Sequence, residues 1–190
     1  MKLFVATGNA HKIREISEIL PDFEVVAANP GDVDENAPDF AGNALIKVKA
    51  IANGHCAQWC MADDSGLVVD ALGGAPGVRS ARYAGEPSDT AKNNELLLRN
   101  LEGVSDRRAR FVCSIALISP KGEEFSVQGV CEGRILNEAA GADGFGYDPL
   151  FVPDGSEKSF AELSAAEKNA ISHRFRALTA VRKILQEHIE

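Results

Sequence analysis

Apolar residues recur along this chain in two rhythms, and the change from one to the other predicts its elements. "LFVA" (3–6) is a short continuous apolar run of the kind that forms a buried strand, and "KIREISEIL" (12–20) places Ile13, Ile16, Ile19 and Leu20 at helical spacing. Pro21 stops that helix. "EVVAA" (24–28) predicts a second strand, and the acid-rich "NPGDVDENAPD" (29–39) a loop. From Phe40 to Gln58 the pattern is helical again, with Ala44, Leu45, Val48, Ile51 and Ala52 on one stripe, leading into "WCMADDSGLVVDAL" (59–72).

The segment "GGAPGVRSARYAGEPSD" (73–89) holds four Gly and two Pro in 17 residues, too many breakers for a regular element, and reads as a long functional loop. A helix over 90–101 follows, then two strands, 109–118 and 124–136, that the turn "SPKGE" folds into an antiparallel hairpin. "GADGFGYDPLFVP" (141–153) is glycine-dense, and "SAAE" (164–167) is a capping box that opens one last helix. Ile171, Phe175, Leu178, Val181, Ile184 and Leu185 form the core face of that helix. Strands alternate with helices early and a long hairpin comes late, so the pattern predicts an α/β or mixed α+β architecture. No repeat or linker cuts the chain, and residues 1–190 read as a single domain with room for two lobes.

Composition narrows the function classes. The chain is 45% hydrophobic and 25% charged, with no biased tract, as expected of a globular protein. A formal net charge of −8 and a pI near 5.1 set up a field that repels phosphate polymers, which argues against a nucleic-acid partner. A small anionic ligand would need a local cluster of cations or a metal. Neither a secretory leader nor an apolar run of about 20 residues is present, so the expectation is a cytoplasmic protein with no membrane partner. Cys56, Cys60, Cys113 and Cys131 are too scattered for a disulfide scaffold and are expected to be reduced. His55 beside Cys56 and Cys60 raises a zinc reading, but no second pair of ligands follows, and a plain half-buried helix is the expectation.

Four stretches carry chemistry. In "TGNAHK" (7–12) a strand passes through a turn into a helix N-terminus, where unpaired N–H groups and the positive end of the helix dipole suit an anion; Lys12 adds a mobile charge. An ordinary strand–turn–helix connection would read the same way. "ADDSG" (62–66) places two acids where α/β proteins build sites, and neighbours in an extended chain face opposite ways, so Asp63 and Asp64 are not expected to share one task. Asp64, followed by the small Ser65 and Gly66, is the better candidate for a metal ligand or base. In "GFGYDP" (144–149) and "EKNAISHR" (167–174), glycines flank aromatics that could stack on a base or pack in the core, and Lys168, His173 and Arg174 gather donors near one helix end.

Together "TGNAHK", "ADDSGLVVDALGGAPGVRSARYAG", "GFGYDPLF" and "SAAEKNAISHR" resemble, over almost the whole length, the inosine triphosphate pyrophosphatase family of non-canonical purine nucleoside triphosphate pyrophosphatases. The resemblance implies an elongated mixed β-sheet with helices in two lobes around a central nucleotide cleft, a homodimer, and Mg²⁺-dependent release of pyrophosphate from ITP, dITP and XTP. Such an activity cleanses the nucleotide pool and keeps these nucleotides out of DNA and RNA. It further implies that Thr7, Gly8, Asn9, Ala10, His11 and Lys12 bind the triphosphate, that Asp64 is proton acceptor and metal ligand, and that Ser65 contacts substrate. Phe145, Gly146, Tyr147, Asp148, Lys168, His173 and Arg174 would hold the nucleotide, chiefly its base.

One stretch departs from the family pattern. A further metal carboxylate often comes from a Glu-x-x-Gly segment, where this chain has "DENAPDF" (34–40); Asp34 or Glu35 could fill the place. The implied chemistry is attack of water on the α-phosphorus. Discrimination against adenine would come from donors aimed at the 6-oxo group, which adenine replaces by an amino donor. A pyrophosphatase for pyrimidine or modified nucleotides and a non-catalytic nucleotide sensor are the rival readings.

Overall fold

The computed structural model describes residues 1–55 and 57–188. Six strands form one mixed sheet in the order β2-β1-β3-β4-β5-β6: β1 (Lys2–Ala6), β2 (Glu24–Ala28), β3 (Trp59–Val69), β4 (Arg108–Ile118), β5 (Glu124–Ile135) and β6 (Phe151–Pro153). Strand β1 runs parallel to both β2 and β3, as strands joined through helical crossovers do. The five residues between β4 and β5 make the predicted hairpin, with Ser119 N donating to Glu123 O at 2.9 Å. Strand β6 pairs antiparallel with β5, and there Gly133 is required: a Cβ would stand 2.3 Å from Val152 O. The helices are α1 (Ala10–Ile19), α2 (Phe40–Ala52), α3 (Thr90–Asn100), α4 (Ala165–Ile171) and α5 (His173–Glu187). No helix among the described residues is long and apolar enough to cross a membrane.

The chain divides into two compact units. The first comprises Met1–Asp64, Cys113–Gly129 and Arg174–Glu190; the second, Ser65–Val112 and Val130–His173. Strict alternation along the strands gives the first unit two apolar clusters. Leu3 and Val5 of β1, Trp59 and Met61 of β3, and Ile115 and Leu117 of β4 pack with Ile16 of α1 and Leu178, Val181 and Leu185 of α5. The intervening residues Ala6, Cys60, Ala62 and Ala116 pack instead with Ala44, Val48 and Ile51 of α2. The second unit has its own core, in which Leu67, Phe111, Phe151 and Phe160 meet Leu97 and Leu101.

Three boundaries differ from the periodic reading. Helix α2 ends at Ala52 rather than Gln58, and a short 3-10 turn, Asn53–His55, follows. Residues 73–89 are not featureless, since Gly77–Arg82 wind into a 3-10 turn and Pro76 bridges Val68. The single last helix is two. Ser164 and Glu167 form the predicted capping box of α4, but Ser172 is extended (φ −65, ψ 157) and its N–H donates to Lys168 O, closing α4 before α5 begins. The apolar stripe runs on through this break because it serves two cores: Ile171 packs in the second unit, and Leu178, Val181 and Leu185 in the first. Of the zinc reading, Cys56 lies outside the described residues; the His55 ring stacks on Phe4 with centroids 3.9 Å apart, and Cys60 is buried in β3.

Candidate active site

The alternation that builds the two apolar clusters of the first unit also separates its two acids. Asp63 continues the face of Trp59 and Met61, which α1 and α5 cover; Asp64 continues the face of Cys60 and Ala62, which α2 covers. Each carboxylate therefore meets the cations of a different helix.

On the first face, Asp63 Oδ2 accepts from Lys12 Nζ at 2.9 Å and from Arg174 Nη2 at 3.2 Å, and Arg174 also donates to Glu15. Asp63 and Arg174 are 1% exposed. Burial pushes the Asp63 carboxyl up, but Lys12 and Arg174 outweigh it and hold the group well below the usual carboxylate range. Burial likewise opposes the charge on Arg174, and Asp63 and Glu15 reverse the effect. An ion pair this dry persists because every charge has a partner.

On the second face, Lys47 of α2 donates to Asp64 Oδ1 at 3.0 Å and to Glu35 Oε2 at 2.9 Å, and Asn43, one helical turn earlier, donates to Asp64 Oδ2 at 3.3 Å. Here burial dominates and raises Asp64 despite Lys47. Burial would lower Lys47, but Asp64, Asp63 and Glu35 together raise it, so the ammonium stays charged. Glu35 is half-buried beside this pair, whereas Asp34 is exposed and accepts from Asn36 Nδ2 at 3.0 Å. Of the two candidate acids, Asp34 and Glu35, the structure brings Glu35 to the Lys47–Asp64 pair.

That pair bears on the implied Mg²⁺. Glu35 and Asp64 converge their oxygens on one positive centre, and oxygen donors, one or two of them carboxylates, are what this ion takes from proteins. Among the described residues no group of three or more His, Cys, Asp or Glu gathers as a ready-made cage.

The turn that precedes α1 is organised by Asn9, whose Oδ1 caps the helix by accepting from His11 N at 2.9 Å and Lys12 N at 3.4 Å. Thr7 Oγ1 accepts from Asn9 N at 3.1 Å. Thr7 and Asn9 thus shape the turn through side chains, Gly8 and Ala10 are exposed, and Lys12 reaches from the first helical turn to Asp63. Ser65 follows Asp64 on β3 and is half-buried.

The remaining predicted residues divide between the units. In the second, Asp148 Oδ2 accepts from Phe145 N at 2.9 Å and from Lys168 Nζ at 2.7 Å, and that ammonium stands 4.8 Å from the centroid of the Phe145 ring. Asp148 and Lys168 are buried and Phe145 is half-buried. Tyr147 belongs to the core, and the His173 ring stacks on Phe111 with centroids 4.8 Å apart. Arg174, next in the chain, belongs to the first unit and to Asp63. Spacing along one helix grouped Lys168, His173 and Arg174; the break at Ser172 sends Lys168 and Arg174 to different clusters.

Sequence reasoning missed Lys47, Asn43, Glu15 and the cation-binding part played by Asp63. Asn43 and Lys47 carried a signal, a polar pair at i, i+4 beside the apolar stripe of α2, although a solvated edge gives the same pattern.

Known proteins extend the comparison beyond single side chains. The model of the Ham1 family matches residues 3–184. A dITP/XTP pyrophosphatase of Desulforamulus reducens is 48% identical, with 97% of this chain and 96% of that protein covered. One of Clostridium perfringens is 45% identical, with 97% of each covered. The solved structure of the Staphylococcus aureus Ham1 protein superposes with a TM-score of 0.88 at 39% identity, covering 98% of this chain and 99% of that one. With the family model matched over residues 3–184 and both sequence and fold shared over nearly the full length, this chain belongs to the Ham1 family.

Proposed function

We propose that this chain is a hydrolase of phosphoric anhydride bonds that converts non-canonical purine nucleoside triphosphates, dITP, XTP and ITP, to the monophosphate and pyrophosphate, and so keeps them from DNA and RNA. The observation that carries this reading is the acid pair of β3, with Asp63 joined to Lys12 of the anion turn and Asp64 joined to Lys47 and Glu35. The names of the Desulforamulus and Clostridium relatives support the substrate class.

In this reading the N–H groups of the exposed Gly8 and Ala10, together with Lys12, take the triphosphate, balancing the charge that grows on the leaving pyrophosphate. Asp63 holds Lys12 in place and is itself held by Arg174. Asp64, whose affinity for a proton burial raises above that of an ordinary carboxylate, is suited to receive a proton from an attacking water. Asp64 and Glu35 would hold Mg²⁺, whose charge, when bound, offsets that of the phosphate oxygens. Lys168 and Phe145 serve the base, the one as a donor toward a 6-oxo group and the other as a stacking face, and His173 lies in the same unit. The protein would work as a cytoplasmic homodimer, which light scattering on the purified protein tests.

The deciding experiment is a panel of nucleoside triphosphates assayed for pyrophosphate, with and without Mg²⁺. The expected result is Mg²⁺-dependent turnover of ITP, dITP and XTP well above that of ATP, GTP and the pyrimidine nucleotides. Equal turnover of ATP and ITP, or release of orthophosphate in place of pyrophosphate, overturns it.

A further inference from the structure

The glycine-rich segment 73–89 holds none of the residues given a chemical part above, yet it is pinned more firmly than a solvent loop needs. Ser80 is buried; its Oγ accepts from Leu67 N at 2.8 Å and donates to Gly77 O at 2.6 Å. Asn93 of α3 clasps the same segment from the other side, donating to Ala81 O at 3.0 Å and accepting from Ala84 N at 2.7 Å. The segment is thus a strap fixed to β3 at one end and to α3 at the other.

The strap offers one carbonyl to the glycine-rich turn. Tyr147 donates its hydroxyl to Ser80 O at 2.7 Å, across 67 residues of sequence. The residue is only 5% exposed and lies in the core of the second unit, so its ring presents little face to a ligand. Burial also pushes its pKa well above the ordinary value, so the phenol stays protonated and a donor. A second tie comes from α3, where Asn94 Nδ2 donates to Gly146 O at 3.2 Å.

These ties matter because the turn between them is bonded within itself, Asp148 N donating to Phe145 O at 3.2 Å and Leu150 N to Tyr147 O at 2.9 Å, so that it follows Tyr147 as a unit. Gly144 and Gly146 have φ of +77 and +62, and a Cβ on Gly144 would stand 2.2 Å from Asp148 Oδ2. Asp148, directly after Tyr147, is the group that receives both Phe145 N and Lys168 Nζ. A shift of Tyr147 therefore moves the carboxylate that sets where the Phe145 ring and the Lys168 ammonium stand. We propose that Tyr147, through its hydrogen bond to Ser80 O, is a positioning residue for base discrimination: it fixes the Phe145–Asp148 turn and does not itself touch the base. This rests on the reading above that Phe145 and Lys168 serve the base.

The test compares kcat/KM for ITP and ATP in the wild type, Tyr147→Phe, Ser80→Ala and their double variant, with inorganic tripolyphosphate as a competitive probe of the phosphate site. Tyr147→Phe keeps the packed ring and removes only the donor. The expected result is a fall in the ITP/ATP ratio of about three- to tenfold, the usual worth of one hydrogen bond, with unchanged inhibition by tripolyphosphate. Ser80→Ala, which loosens the strap, lowers the ratio in the same sense, and the double variant falls no further than the larger single effect. A wild-type ratio in Tyr147→Phe overturns the inference, as does a loss of tripolyphosphate affinity in step with the ratio. Should Tyr147→Phe fail to fold, Asn94→Ala, which cuts the second tie, decides by the same ratio. A wild type without preference for ITP overturns the underlying assignment of function, whereas a wild-type preference that all the variants keep overturns this inference alone.

Discussion

The ammonium of Lys47 lies 3.0 Å from Asp64 Oδ1, a buried ion pair between α2 and β3 that spans 17 residues of sequence. With these side chains 9% and 12% exposed, removing one partner strands the other away from water. Lys47→Met should therefore destabilise the protein by about 3 kcal/mol in denaturant unfolding. The Lys47→Met, Asp64→Asn double variant should lose less than the sum of the single losses, because the buried carboxylate then goes with its partner and only the half-buried Glu35 loses a cation. Simple additivity would mean that the pair contributes nothing.

Asp64→Asn keeps the shape of the side chain and its bond to Asn43 but removes the charge that a proton acceptor and a metal ligand need. Turnover of ITP should fall by about 10²- to 10⁴-fold while far-UV dichroism stays that of the wild type. Near-normal turnover by the folded variant would remove Asp64 from the chemistry.

Lys12 and Lys168 belong to different clusters and should fail differently. Lys12→Ala should weaken inhibition by tripolyphosphate and lower kcat/KM for ITP and ATP alike. Lys168→Met should lower ITP turnover by about tenfold relative to ATP, as loss of a hydrogen bond from a charged donor does, and leave tripolyphosphate inhibition in place. The reverse pattern would exchange their parts.

Asp63 gives stability a pH dependence of known sign. Its carboxyl is depressed in the folded protein, so its contribution is fully present above the unfolded value of about 4 and is lost as pH falls below it toward the folded value. Asp63→Asn should be markedly less stable than the wild type at neutral pH, and the gap should narrow below about pH 4. A gap that holds constant from pH 7 to pH 2, measured by thermal unfolding, would contradict the depressed carboxyl.

Those four predictions draw on two kinds of knowledge. What the sequence alone determined was local. Alternation and helical spacing located β1, β2, β4 and β5 and most of α1, α2 and α3, the capping box at Ser164 opened α4, and the glycines marked the turns, because such signals act between residues close in the chain; the three-residue β6 was too short to leave a pattern. Order and spacing of four short motifs were enough to identify the family. The neighbourhood of "ADD" also implied that its two acids face apart, since the period of a strand is two. Only the tertiary structure decided which cations they meet. Lys12 and Arg174 come to Asp63 from opposite ends of the chain, and Lys47 with Glu35 to Asp64, because α1 and α5 cover one face of the sheet and α2 the other. The break at Ser172 was hidden for a related reason: a continuous apolar stripe reports that a face is buried, not which of two cores buries it. Pairing over 111 residues, as between Asp63 and Arg174, leaves no periodic trace and is settled only when the chain closes on itself.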